Sequence, residues 1–209
     1  MNTRPGKFIT VEGVEGVGKS TNINLMAKLI RDAGHEVLLT REPGGTRLGE
    51  RVRQILLDKA EDTMSPMTEL MLMFAARAQH VEELIKPALA DGQWVVCDRF
   101  TDSSYAYQGG GRGLGDETVA MLETLALGDF RPDLTLILDL DVATGLSRAT
   151  ADAEADRFES EERAFFEKVR TAFLDRVATS DRYRLIDASG NLEEVQAQIT
   201  SLMTEVLSK

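Results

Sequence analysis

Gly13-Val14-Glu15-Gly16-Val17-Gly18-Lys19-Ser20, followed by Thr21, fills the template G-x-x-x-x-G-K-[ST] directly after the apolar run Phe8-Ile9-Thr10-Val11. The stretch reads as a phosphate-binding loop joining a strand to a helix. Its glycines let the backbone turn tightly, so that successive N–H groups point inward at a polyphosphate. Lys19 then reaches the outer phosphates, and Ser20 offers a hydroxyl to Mg²⁺. The helix that follows adds its positive N-terminal dipole beneath the phosphates. Ile23, Leu25, Met26, Leu29 and Ile30 supply the amphipathic pattern that this context requires.

The rest of the chain narrows the class. At 209 residues it is expected to form one domain, residues 1–209, with a mobile insertion rather than a second core. A net charge of −11 and a pI near 4.7 argue against a sequence-independent grip on nucleic acid or an anionic membrane. Cations that bind phosphate must therefore be gathered locally. The single cysteine, Cys97, excludes an internal disulfide and reads as a small buried hydrophobe in a reducing compartment. No apolar run approaches membrane-spanning length, and Met1–Lys7 lacks a signal-peptide core. These features predict a cytoplasmic protein.

Short β-rich runs alternate with longer helical patterns. The runs are Phe8–Val11, Val37–Thr40, Trp94–Cys97, Leu134–Leu140 and Tyr183–Ile186. This alternation predicts an α/β fold, with a five-stranded parallel sheet flanked by helices on both faces. Leu134–Leu140, almost wholly apolar, is expected near the middle of the sheet. Helices are predicted over Lys19–Ala33, Leu48–Leu57, Pro66–Asp91, Asp116–Leu127, from Val142, over Glu161–Thr179 and over Leu192–Leu207, with Pro87 as a possible kink.

In open α/β sheets ligands lie at the carboxyl ends of the strands. Arg41 follows the second run there, and Asp98-Arg99-Phe100 follows the third. Arg41, Arg53, Arg77 and Arg99 could converge on that rim, and guanidiniums clustered in an acidic protein suggest a phosphate-bearing second substrate. Taken alone, Arg53 also suits a solvated helix face. No Asn-Lys-x-Asp base-reading motif of a GTPase switch is present.

The loop with its acidic Glu15, Thr40-Arg41-Glu42-Pro43-Gly44-Gly45, Phe74-Ala75-Ala76-Arg77, Asp98-Arg99-Phe100, Tyr105–Gly111 and Gly128–Leu134 come in an order and spacing that resembles bacterial thymidylate kinase. The resemblance covers most of the chain. It implies a P-loop NTPase fold and phosphoryl transfer from Mg-ATP, bound over Gly13–Thr21, to dTMP, giving dTDP for dTTP synthesis. It also implies residue roles. Glu15 resembles the carboxylate that accepts the 3′-hydroxyl, and Phe74 the ring stacked on thymine. Arg77 resembles the reader of the base edge; Ser104 and Gln108 match base-side positions. Tyr107 matches the ring on the deoxyribose, where it would exclude a ribose hydroxyl. Arg99 and Arg41, with Arg53, look like grips on the acceptor phosphate. Asp98 resembles the acid near Mg²⁺, beside Ser20. On residues alone, Phe74 instead continues the apolar stripe of Leu70 and Val81.

Family members place a transition-state arginine either in the loop or in a flap over ATP. Glu15-Gly16-Val17 carries no cation, so the resemblance points to Arg157 in a mobile flap at about 149–160, with Arg148 as a second candidate. The flap here is acidic, unlike that of many relatives. The two histidines show no catalytic constellation: His35 lies in a polar turn, and His80 reads as surface or packing. The family is typically homodimeric through helices of the outer layer. Two other readings stay open: another nucleoside monophosphate or deoxynucleoside kinase, and a P-loop regulator that senses ATP and acts through a partner.

Overall fold

The computed structural model describes residues 6–61, 64–149, 157, 158 and 161–208. Most of the expected flap, and Met1–Pro5 of the N-terminus, lie outside the described residues. Five strands, β1 (Phe8–Glu12), β2 (Val37–Arg41), β3 (Trp94–Asp98), β4 (Leu134–Asp139) and β5 (Tyr183–Asp187), form one sheet in the order β2-β3-β1-β4-β5. All four pairings are parallel. The central strand is β1, buried throughout. Next to it lies β4, as its apolar run predicts.

The helices are α1 (Lys19–Asp32), α2 (Arg47–Leu57), α3 (Pro66–His80), α4 (Lys86–Ala90), α5 (Thr101–Ser104), α6 (Asp116–Leu127), α7 (Val142–Ala149), α8 (Arg163–Val177) and α9 (Leu192–Ser208). Because strand side chains alternate, each strand feeds both faces. Ile9, Val11, Val96 and Leu136 pack with Ile23 and Met26 of α1 and Ile199 of α9. Phe8, Val95 and Cys97, one register position off, pack with Val81, Ile85, Ala88 and Leu127. Cys97 is buried, as expected, and burial pushes its thiol pKa well up.

Two local features shape the rim. Pro87 does not break its helix: the turn Val81–Ile85 widens to π-type just before it, which accommodates the ring that an ordinary helical turn would meet. A second widened turn, Tyr105–Gly111, extends α5. The sequence does not show this segment as helical, because three glycines close it and no 3.6-residue apolar period runs through it. Those glycines have a packing reason. A Cβ on Gly110 would meet Ala172 Cβ at 2.8 Å, and one on Gly111 would meet the Phe165 ring at 2.5 Å, so α8 can lie against bare backbone.

Candidate active site

The phosphate-binding loop leaves the buried end of β1 and enters α1. Gly13, Gly16 and Gly18 all have positive φ, the conformations that make glycine necessary there. Gly16 is further constrained by α7: a Cβ on it would meet Gly145 O at 2.0 Å, and one on Gly145 would meet Glu15 O at 2.6 Å. The helix that leads toward the flap thus rests on the loop backbone. Lys19 folds back over the loop, donating to Gly13 O at 3.2 Å and Val14 O at 3.0 Å. Burial, aided by the Arg99 charge, lowers its pKa to about 8 against the opposing pull of Asp98, Glu15 and Glu12.

Ser20 and Asp98 share a cleft with Thr40, Arg41 and Gly45. Asp98 Oδ1 is buried with no hydrogen-bond partner among the described residues. A buried carboxylate oxygen left without a partner beside a hydroxyl and a phosphate loop fits a divalent cation that takes its remaining ligands from phosphate and water. The described residues include no group of three or more His, Cys, Asp or Glu side chains that could hold a metal by themselves.

At the end of β3 the chain turns through Arg99 with φ 68, a strained conformation for a side-chain-bearing residue. Three hydrogen bonds hold the turn. Arg99 N donates to Val11 O at 3.0 Å, and the buried Glu12 accepts from Phe100 N at 2.7 Å and Ser103 Oγ at 2.6 Å. Burial and the nearby charge of Asp102 raise the Glu12 pKa to about 7, against Ser103, Arg99 and the Phe100 amide. So held, the Arg99 guanidinium donates to Gly13 O, Glu15 Oε1 and Tyr107 Oη at 2.9–3.0 Å. Tyr107 Oη in turn donates to both Glu15 oxygens at 2.6 and 2.8 Å. Burial keeps the phenol protonated, raising its pKa well above the ordinary value. Arg99, Glu15 and Tyr107 therefore form one rigid cluster touching the loop.

A cavity opens from this cluster. Its walls include Arg77, Ser103, Ser104 and Gln108 together with Pro43, Arg53, Leu57, Met73 and Phe158. Arg77 is buried and fully directed: Nε donates to Glu42 at 2.6 Å, and its terminal nitrogens to Ser104 Oγ and Phe100 O, both at 3.0 Å. Glu42 also meets His80 Nδ1 at 2.9 Å, and His80 Nε2 meets Thr40 Oγ1 at 2.7 Å. His80 is packing, as read, but it also orients Glu42 behind Arg77.

Two of the residues expected at the acceptor, Phe74 and Arg41, do not line this cavity, whereas Arg53 does. The α3 wall of the cavity carries Met73, whereas Phe74 packs with Leu70, Tyr105 and Val119. Arg77 lies over the Phe74 ring at 4.6 Å. A residue four positions before Arg77 shares its helix face more closely than one three before, given the wall on which both sit. Arg41 pairs with Glu50 at 2.9 Å and lines the Ser20–Asp98 cleft instead of this cavity. Arg53 does line the cavity and donates to Pro43 O at 3.0 Å.

The two flap candidates part company. Arg148 is exposed near the end of α7, three residues past the Gly145 contact with the loop. Arg157 is buried: Nε donates to Leu56 O at 2.8 Å and a terminal nitrogen to Glu69 at 2.6 Å. A role at the transferring phosphoryl would require Arg157 to leave Glu69. Sequence reasoning passed over Glu12, Glu42, Glu69, Met73 and Phe158. Glu12, an acid directly after an apolar strand run, and Glu42, within the Thr40–Gly45 motif, carried a local signal.

The model of the thymidylate kinase family matches residues 11–199. Among curated proteins, the thymidylate kinase of Pseudomonas fluorescens (strain SBW25) is 58% identical over 205 residues, 98% of each chain. That of Pseudomonas syringae pv. tomato is 58% identical over 203 residues, 97% of each chain. The thymidylate kinase of a Pseudomonas putida strain is 55% identical over 205 residues, again 98% of each. With matches of this extent over the loop, the Arg99 cluster and the cavity behind it, the chain belongs to the thymidylate kinase family.

Proposed function

We propose that this chain transfers the γ-phosphoryl group of Mg-ATP to dTMP, giving ADP and dTDP. The observation that carries the reading is the Arg99–Glu15–Tyr107 cluster, which joins the phosphate loop to a cavity ending in Arg77, Ser104 and Gln108. A monophosphate in that cavity would set its phosphate beside Arg99 and Lys19 and its base against Met73 and Arg77. Arg77, held by Glu42, is fixed as a donor only, which suits a base edge bearing an acceptor. Tyr107 occupies the sugar's flank. Phosphoryl transfer depends on alignment and charge neutralisation more than on proton transfer. Lys19 and Arg99 supply cations on the two sides of the transferred group, and the loop amides align it. Mg²⁺, held by Ser20 and Asp98, would neutralise charge on the nucleotide phosphates. Of the two flap arginines, Arg148 follows Gly145, which rests on the loop, and would approach the phosphates from there.

The same reading includes a single domain with the segment at about 149–160 as flap, and work in the cytoplasm. It also includes a homodimer. Support for the last comes from Met67 and Met71 on α3 and Met121 and Leu125 on α6, apolar side chains exposed on two helices that pack together.

A coupled assay of ADP release with ATP and each nucleoside monophosphate tests the activity. dTMP is expected to be the best acceptor. A methyl group separates it from dUMP, worth ~10–200-fold, and thymidine, which lacks the phosphate that Arg99 would hold, should not turn over. Preference for thymidine over dTMP would favour a deoxynucleoside kinase instead.

A further inference from the structure

Glu69 is fully buried on α3, 88 positions from one of its partners and 39 from another. Its carboxylate accepts from Gln108 Nε2 at 2.7 Å, from Arg157 at 2.6 Å and from Arg112 at 3.2 Å. Gln108 lines the cavity from the widened turn, and Phe158, next to Arg157, lines it as well. Phe158 meets Tyr107 edge-on, with ring centroids 5.9 Å apart, and Arg112 lies over the Phe158 ring at 5.8 Å. Arg157 also binds α2 through Leu56 O. One carboxylate thus ties together α3, the turn after α5, and the chain beyond α7.

We propose that Glu69 and Arg157 are positioning residues for the acceptor pocket: their ion pair fixes Phe158 as one wall while Glu69 fixes Gln108 as another. The inference rests on the reading of this cavity as the dTMP site. A buried and a half-buried cation converging on one buried anion are costly to separate, above all Arg157, which would lose its counter-charge in a low-dielectric setting. A wall held in this way is preorganised for a ligand, which raises affinity without touching the phosphates. The effect therefore belongs to acceptor binding and not to the transferred group.

The test uses the full-length protein and the variants Glu69→Gln, Arg157→Met and the double substitution, with KM for dTMP, KM for ATP and kcat measured in each. Each single variant should raise KM for dTMP about tenfold or more, with KM for ATP and kcat changed by about threefold or less. The double variant should resemble the worse single one, because both break the same contact. Loss of kcat by orders of magnitude at unchanged KM for dTMP would overturn the proposal and place Arg157 on the phosphoryl. So would an unchanged KM in both single variants, or multiplicative effects. Arg157→Met leaves Glu69 its other two partners, so it decides the matter even where Glu69→Gln does not fold. Amide exchange of the peptide carrying Arg157 and Phe158, followed without nucleotide, should quicken in Arg157→Met. Unchanged exchange overturns the anchoring whatever the acceptor proves to be. A wild-type protein inactive toward dTMP but showing the exchange effect would instead sink the assigned substrate alone.

Discussion

At the scale of single residues the site is governed by charges held where water cannot reach them. Lys19 is the clearest case. Its pKa of about 8, set first by burial and then by Arg99, lies below the ordinary 10.5. Between those values the unfolded chain binds more protons than the folded one, so this lysine's contribution to stability rises with pH across that window. Bound polyphosphate reverses the local balance by supplying negative charge, and Lys19 then regains its proton. At pH 8.5 ATP binding should therefore take up roughly three quarters of a proton at this group, and little at pH 7. Titration calorimetry in buffers of different ionisation enthalpy reads the uptake directly. Lys19→Met should remove the difference between the two pH values while leaving the fold intact. Equal proton uptake by the two proteins at pH 8.5 would show that Lys19 is already fully charged before nucleotide arrives.

At the scale of elements, α3 shows why some of the site was legible and some was not. The loop, the five strands and most helices could be read because each is local. A parallel strand buried on both faces is a short apolar run, and the loop is a fixed spacing of glycines before a lysine. The register of α3 is different. It buries Leu70 and Phe74 against Tyr105 and Val119 of the widened turn and α6, and Ala76 against Val52 and Leu56 of α2, with Leu72 and Met73 packed alongside. Apolar residues therefore ring the helix, and periodicity alone cannot tell which of Met73 and Phe74 meets the cavity. The pairing of Arg157 was illegible for a related reason, since its counter-charge lies 88 residues away. The structural assignment separates the two α3 residues by experiment. Phe74→Ala should destabilise the protein by about 3–5 kcal/mol, as a large buried side chain lost from a packed cluster does. Met73→Ala should leave urea stability closer to wild type and raise KM for dTMP severalfold. If Phe74→Ala folds normally and loses dTMP affinity while Met73→Ala is silent, the wall belongs to the aromatic ring after all.

At the scale of the molecule, an acidic protein must admit two polyanionic substrates, and among the described residues many cations pair with carboxylates while Arg77 and Arg99 line the cavity. The same helix that provides Met73 and Arg77 to the cavity, and Glu69 behind it, exposes Met67 and Met71, as α6 exposes Met121 and Leu125. Leu125 is 83% exposed. A two-fold contact would set this stripe against its own copy, burying apolar surface from both protomers at once. It would also brace α3 from behind, since side chains on one face of a helix cannot hold position if the helix itself can shift. Leu125→Glu should therefore convert a dimer into a folded monomer, because the residue contacts little within its own chain and a charge opposed to its copy is repulsive. Sedimentation equilibrium reads the assembly, thermal unfolding the fold, and KM for dTMP the bracing. The expected result is a monomer with near-normal secondary structure, raised KM for dTMP and little change in KM for ATP, whose loop hangs from β1 rather than α3. A wild-type protein that is monomeric at micromolar concentration, or a variant that remains dimeric, would show that this surface is not where two copies meet.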